Sequence, residues 1–126
     1  MPVNKTILLV EDDQYLRDLY QEVLTEAGYA VDTAGDGEVG LAKLQTGSYG
    51  LVLLDMMMPK LDGIQVLTYL KDHPVPHPPE RIVLLTNMAH SPVIDQATEL
   101  GAQGCIIKSD VTPDLFVQRV NGFWLH

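Results

Sequence analysis

Three acidic residues stand just past two strongly apolar runs. Asp12 and Asp13 close the segment ILLVEDD, and Asp55 closes LVLLD. Runs of leucine and β-branched residues this short are buried strands, so the side chains that follow emerge at the rim of a core. Brought together, three carboxylates form a hard oxygen site suited to Mg²⁺ or Mn²⁺. Without a cation they repel one another. A carboxylate held beside a divalent cation, with a lysine nearby, has the makings of a phosphoryl acceptor.

The bulk numbers narrow the field. The 126 residues suit one domain with one core, and 46% hydrophobic content is ordinary for a globular chain. A formal net charge of −9 argues against direct contact with nucleic-acid phosphates or anionic membranes. No apolar run approaches the roughly 20 residues of a spanning helix. The start, MPVNKTILLVEDD, lacks the pattern of a signal peptide, and the single Cys105 has no internal disulfide partner. A cytoplasmic protein is expected.

Strand and helix signals then alternate from end to end. Thr6–Val10 is a predicted strand. Leu16, Leu19, Tyr20, Val23, Leu24 and Ala27 have helical spacing, stopped at Gly28. Residues 29–33 alternate as a second strand. Residues 36–44 make a helix with Val39, Leu41 and Leu44 inward, ending at Gly47. Residues 51–54 are the most apolar strand. Asp62 caps a helix carrying Ile64, Val66, Leu67 and Leu70. The segment HPVPHPPE is barred from helix and central strand by its prolines and is expected as a surface connection. Residues 82–85 form a fourth strand. Ser91-Pro92 opens a helix that Gly101 ends. Gly104–Ile107 is the fifth strand, and Thr112-Pro113-Asp114 opens the last helix, which carries Leu115, Phe116 and Val120 and can extend to Phe123.

The result is a single three-layer α/β domain, (βα)₅, with a parallel sheet covered on both faces. The domain is expected to fill 1–126, with a core from Thr6 to about Gly122 and a tail over 123–126. Ligands of open parallel sheets bind beyond the carboxyl ends of the strands. That places chemistry at Glu11-Asp12-Asp13, Asp55, Thr86 and Lys108.

Five elements in order are similar to the receiver domain of two-component response regulators: EDD, the acid ending LVLLD, the turn MPKLDG, Thr86 ending the fourth strand, and Lys108 ending GAQGCIIK. The resemblance covers essentially the whole chain. It implies a flavodoxin-like sheet of order 2-1-3-4-5 and a phosphorelay switch. Asp55 takes a phosphoryl group from a sensor histidine kinase or histidine phosphotransfer protein. Asp12, Asp13, Asp55 and the Met57 backbone carbonyl hold Mg²⁺, for which Mn²⁺ can substitute. Thr86 and Lys108 bind phosphoryl oxygens, since phosphoryl transfer is mostly positioning and charge neutralisation. The surface of the fourth helix, fifth strand and fifth helix reports to an output domain or protein target. The resemblance further implies a monomer or weak dimer, and no turnover beyond self-catalysed transfer onto Asp55.

The chain departs from the family pattern at several places. Cys105 stands where the family has the aromatic ring that turns inward on activation. Ser109 follows Lys108 where proline is usual; a cis bond there would cost about 3–4 kcal/mol, so trans is expected. Asn87 replaces a small residue. Met57 and Met88 occupy the two positions that influence hydrolysis of the acyl phosphate, and neither orients an attacking water, so self-dephosphorylation is expected to be slow.

Blander readings stand beside these. Asp12 and Asp13 also suit the N-terminus of the first helix. Cys105 serves as a small apolar filler or, facing outward, as a reactive thiol. His73 and His77 are four apart, but Pro74 and Pro76 forbid the helix that would join them at a metal. His90 is a loop residue near the rim, and Met56–58 is soft packing material. Two other functions remain. A Mg²⁺-dependent aspartyl-phosphate hydrolase would need a second acid where Met57 stands. A receiver-like interaction module would lack part of the acid and lysine set.

Overall fold

The computed structural model describes residues 4–87 and 92–124. Five strands, β1 (Thr6–Val10), β2 (Ala30–Ala34), β3 (Leu51–Asp55), β4 (Arg81–Thr86) and β5 (Gly104–Ile107), alternate with five helices. These are α1 (Gln14–Glu26), α2 (Gly37–Thr46), α3 (Gly63–Asp72), α4 (Pro92–Glu99) and α5 (Pro113–Gly122). All pairings are parallel, in the order β2-β1-β3-β4-β5. The flavodoxin-like order expected from the resemblance is therefore present.

Alternation along each strand divides the core in two. Leu8, Val10, Val52, Leu54 and Leu84 face one layer with residues of α2, α3 and α4. Ile7, Leu9, Leu51, Leu53, Val83 and Leu85 face the other with Tyr20, Leu24, Phe116 and Val120 of α1 and α5. Both faces of β3 are buried, which explains its unbroken apolar sequence.

The helix starts follow their caps. Asp13 accepts from the Leu16 N–H, Asp36 from Val39 and Thr112 from Leu115, while Asp62 and Gln65 form a reciprocal capping box. Gly28 and Gly101, with φ of 102° and 113°, end α1 and α4 in the left-handed region. The Ser91 cap lies outside the described residues, as does His90.

Three expectations need correction. Val39 is exposed; Leu44 is buried and Leu41 packs against the core as expected, and the rest of the inner face of α2 is Gly37 and Gly40. Its glycines let the helix lie close: a Cβ on Gly40 would stand 3.0 Å from Val10 Cγ2. The proline-rich segment is not wholly superficial, because Val75 is buried in the α3-side core. The first two residues of the expected tail are also engaged. Phe123 and Trp124 pack against the α1–α5 layer, with Trp124 4.9 Å from the Tyr29 ring.

Candidate functional site

Register brings the strand ends to one edge. Val10 pairs with Leu54, Asp55 with Leu85, and Thr86 with Ile107. Residues just beyond these positions meet around a hollow of about 240 Å³, lined by Asp12, Asp13, Leu16, Asp55, Met57, Thr86, Asn87 and Lys108.

Lys108 is the hub. Its ammonium lies 2.9 Å from Glu11 Oε1 and 3.3 Å from Asp55 Oδ2. Glu11 is fully buried, Asp55 and Thr86 are buried, and Asp12 opens to solvent. The Met57 N–H donates to Asp55 Oδ1 at 3.2 Å. Glu11, Asp12 and Asp55 each offer a carboxylate oxygen, all within 4.8 Å of one another. Among the described residues, the other carboxylate oxygen of Glu11, Oε2, is buried without a hydrogen-bond partner.

The electrostatics follow from that crowding. Burial, then the neighbouring Glu11 carboxylate, push the Asp55 carboxyl up to about 6. Burial and Asp55 raise Asp12. Burial works against the Lys108 charge, but Glu11 and Asp55 outweigh it and hold its pKa above the ordinary value. Three carboxylates against one ammonium leave two negative charges uncompensated, the charge of one divalent ion. An orphaned buried oxygen and an all-oxygen donor set fit Mg²⁺.

Sequence and geometry differ over one acid. The resemblance sets Asp13 beside Asp12 as a metal ligand; its carboxylate instead caps α1, 3.1 Å from the Leu16 N–H, at the margin of the hollow. Glu11 is the acid that meets Asp12 and Asp55, because its N–H bonds to the Ala34 carbonyl and so extends β1 by one residue into the rim. A signal for this exists in the sequence: the residue immediately before Gln14 is where a cap must be.

The remaining residues are placed as follows. Thr86, Asn87 and Met57 line the hollow, with the Met57 side chain largely exposed. Met88 lies outside the described residues. Cys105 is half-buried, paired with Leu84 across the sheet and packed against the α4-side core, the position of a filler. Lys108 opens a single 3₁₀ turn, Lys108–Asp110, and no described peptide bond is cis. His73 ends α3, stacked on Tyr69.

A family model described as the response regulator receiver domain matches residues 7–121. The chain belongs to this family. It is 39% identical over 104 residues to the transcriptional regulatory protein DltR of Streptococcus agalactiae, covering 81% of this chain and 44% of that protein. It is 43% identical over 84 residues to the alkaline phosphatase synthesis transcriptional regulatory protein PhoP of Bacillus subtilis, covering 67% and 34%. The chain thus spans under half the length of these curated relatives. Among solved structures, response regulator TrrA of Thermotoga maritima is 33% identical with a TM-score of 0.77, covering 94% of this chain and 97% of that one. A receiver domain from Bermanella marisrubri is 29% identical with a TM-score of 0.82, covering 94% and 97%.

The chain is a receiver domain of the two-component response regulators, a fold that serves as a phosphorylation-based switch. Receivers bind Mg²⁺ at an acidic cluster, and Glu11, Asp12 and Asp55 form one here. The expectation that nucleic acid is no partner finds no support in these relatives, which are transcriptional regulators. No described helix is long and apolar enough to cross a membrane.

Proposed function

We propose that Asp55 accepts a phosphoryl group from a histidine kinase or phosphotransfer protein, with Mg²⁺ held by Glu11, Asp12, Asp55 and the Met57 backbone carbonyl. Mn²⁺ substitutes. The observation that carries this is Lys108, whose nearly buried ammonium lies between Glu11 and Asp55 in the acid-lined hollow. The TrrA structure was determined in complex with Mg²⁺-BeF, which supports the same cation at this rim.

The bound cation supplies charge neutralisation on the acceptor and on the incoming phosphoryl group. The rest falls to the chain. A carboxylate oxygen of Asp55 attacks phosphorus as the phosphorus–nitrogen bond of the phosphohistidine breaks, the bonding pair stays on the ring nitrogen, and the ring, protonated from solvent on its other nitrogen, leaves as neutral imidazole. The Met57 N–H fixes the Asp55 rotamer by holding Oδ1. Lys108 exchanges its Asp55 contact for a phosphoryl oxygen while Glu11 keeps it in place. Thr86 donates to another oxygen, and the change passes to the face of α4, β5 and α5. Cys105 supplies no rotating ring, so Thr86 carries that coupling.

The apolar Met57 at the hollow cannot direct a water at phosphorus. Self-dephosphorylation is therefore slow, and a half-life of seconds with Mg²⁺ and no phosphatase would contradict this. The domain works in the cytoplasm and reports to an output domain or protein target. The test is incubation with acetyl phosphate and Mg²⁺ followed by intact mass. A gain of one phosphoryl group, absent in Asp55→Asn, is expected; no gain with acetyl phosphate or phosphoramidate would refute the proposal.

A further inference from the structure

The acidic rim is held from behind by a residue with no part in the chemistry. Arg17 lies in the first turn of α1, and its guanidinium Nη1 donates to the main-chain carbonyl of Glu11 at 2.8 Å. The Glu11 N–H donates to the Ala34 carbonyl at 3.0 Å. The main chain of Glu11 is thus clamped on both sides, to β2 through its nitrogen and to α1 through its oxygen. The clamped carbonyl belongs to the peptide that joins Glu11 to Asp12, so any rotation of that peptide displaces both carboxylates. A guanidinium donating to a carbonyl makes a charge-assisted bond, stronger than a neutral one. The site of the clamp is tight: a Cβ on Gly35, in the loop after β2, would stand 3.3 Å from the same Nη1.

Lys108 holds Glu11 only at Oε1, and among the described residues its Oε2 is buried without a hydrogen-bond partner, while Asp12 is exposed, so the course of the main chain between them bears on where both carboxylates lie. Resting on the reading of Glu11, Asp12 and Asp55 as the cation site, we propose that Arg17 is the positioning residue of that site. It holds the Glu11–Asp12 peptide so that both carboxylates meet Asp55.

Charge gives the proposal a sign that packing does not. Arg17 is a cation near an anionic cluster, so removing its charge should by Coulomb's law tighten Mg²⁺ binding. Removing a group that orients ligands should weaken it, by about tenfold where such outer partners have been replaced. The two effects oppose, and the geometric one is predicted to win.

The experiment is titration calorimetry of Mg²⁺ into the full chain and into Arg17→Met and Arg17→Lys, with folding followed by circular dichroism. Arg17→Met is expected to raise the Kd about tenfold, with Arg17→Lys between it and the unaltered chain. Binding by Arg17→Met as tight as that of the unaltered chain, or tighter, overturns the proposal. If Arg17→Met does not fold, Arg17→Lys decides: weaker binding supports the clamp, and equal or tighter binding overturns it. Failure of the unaltered chain to bind Mg²⁺ overturns the reading of the site and the proposal with it.

Discussion

At Asp55, burial and the Glu11 carboxylate act in the same direction and lift the carboxyl from 3.8 to about 6. Between those values the folded state binds more protons than the unfolded one, so ionised Asp55 costs stability. The cost is absent below about pH 4 and complete above pH 6, and a tenfold change in acidity corresponds to about 1.4 kcal/mol. In EDTA at pH 7.5, Asp55→Asn should therefore be more stable than the unaltered chain by about 1–3 kcal/mol. The gain should shrink as pH falls through 6 towards 4, and urea unfolding across that range measures it. A pH-independent difference would mean that Asp55 is not destabilised by its neighbours. The position of Asp55, the proposed acceptor, at the rim was legible from the end of LVLLD. The division of the EDD acids was not, since apolar periodicity marks where a strand runs but not whether it continues one residue further. Glu11 does continue β1, and Asp13 caps α1.

At the scale of elements, close approach decides what propensity cannot. Gly37 opens α2 with a Cβ position only 2.3 Å from the Leu61 carbonyl oxygen. Helix propensity alone predicts that alanine here stabilises by up to about 1 kcal/mol. The contact predicts the reverse: Gly37→Ala should cost about 1–3 kcal/mol through backbone displacement, read as a lower Tm. An unchanged or higher Tm would show that α2 is free to shift away from the turn before α3. The same contacts explain why the inner face of α2 was not legible. Apolar periodicity is carried by side chains, and two of this helix's three buried positions have none. Strand β5, by contrast, was legible to the residue, because Gly101 and Lys108 bracket a short apolar run.

For the whole molecule, the parallel direction of the strands and the edge where ligands meet followed from alternation, since consecutive parallel strands require helical crossovers, while the order 2-1-3-4-5 came from the family resemblance. Val75 and Trp124 were not legible: their burial depends on distant partners, the α3-side core and Tyr29, that no local pattern reveals. Two uncompensated charges at the rim make the fold itself respond to cation. At 100 times its Kd, Mg²⁺ should raise the unfolding free energy by about 2.7 kcal/mol. EDTA should reverse the gain and an equal ionic strength of NaCl should not reproduce it; stabilisation equal in NaCl would place the effect in general screening. The central claim, that Asp55 is the acceptor, is tested most directly by borohydride reduction after reaction with acetyl phosphate and Mg²⁺, followed by peptide mapping. An acyl phosphate on Asp55 is reduced to homoserine at position 55 and nowhere else, which is the predicted result. An intact aspartate at that position in a chain that carries phosphate would contradict the account.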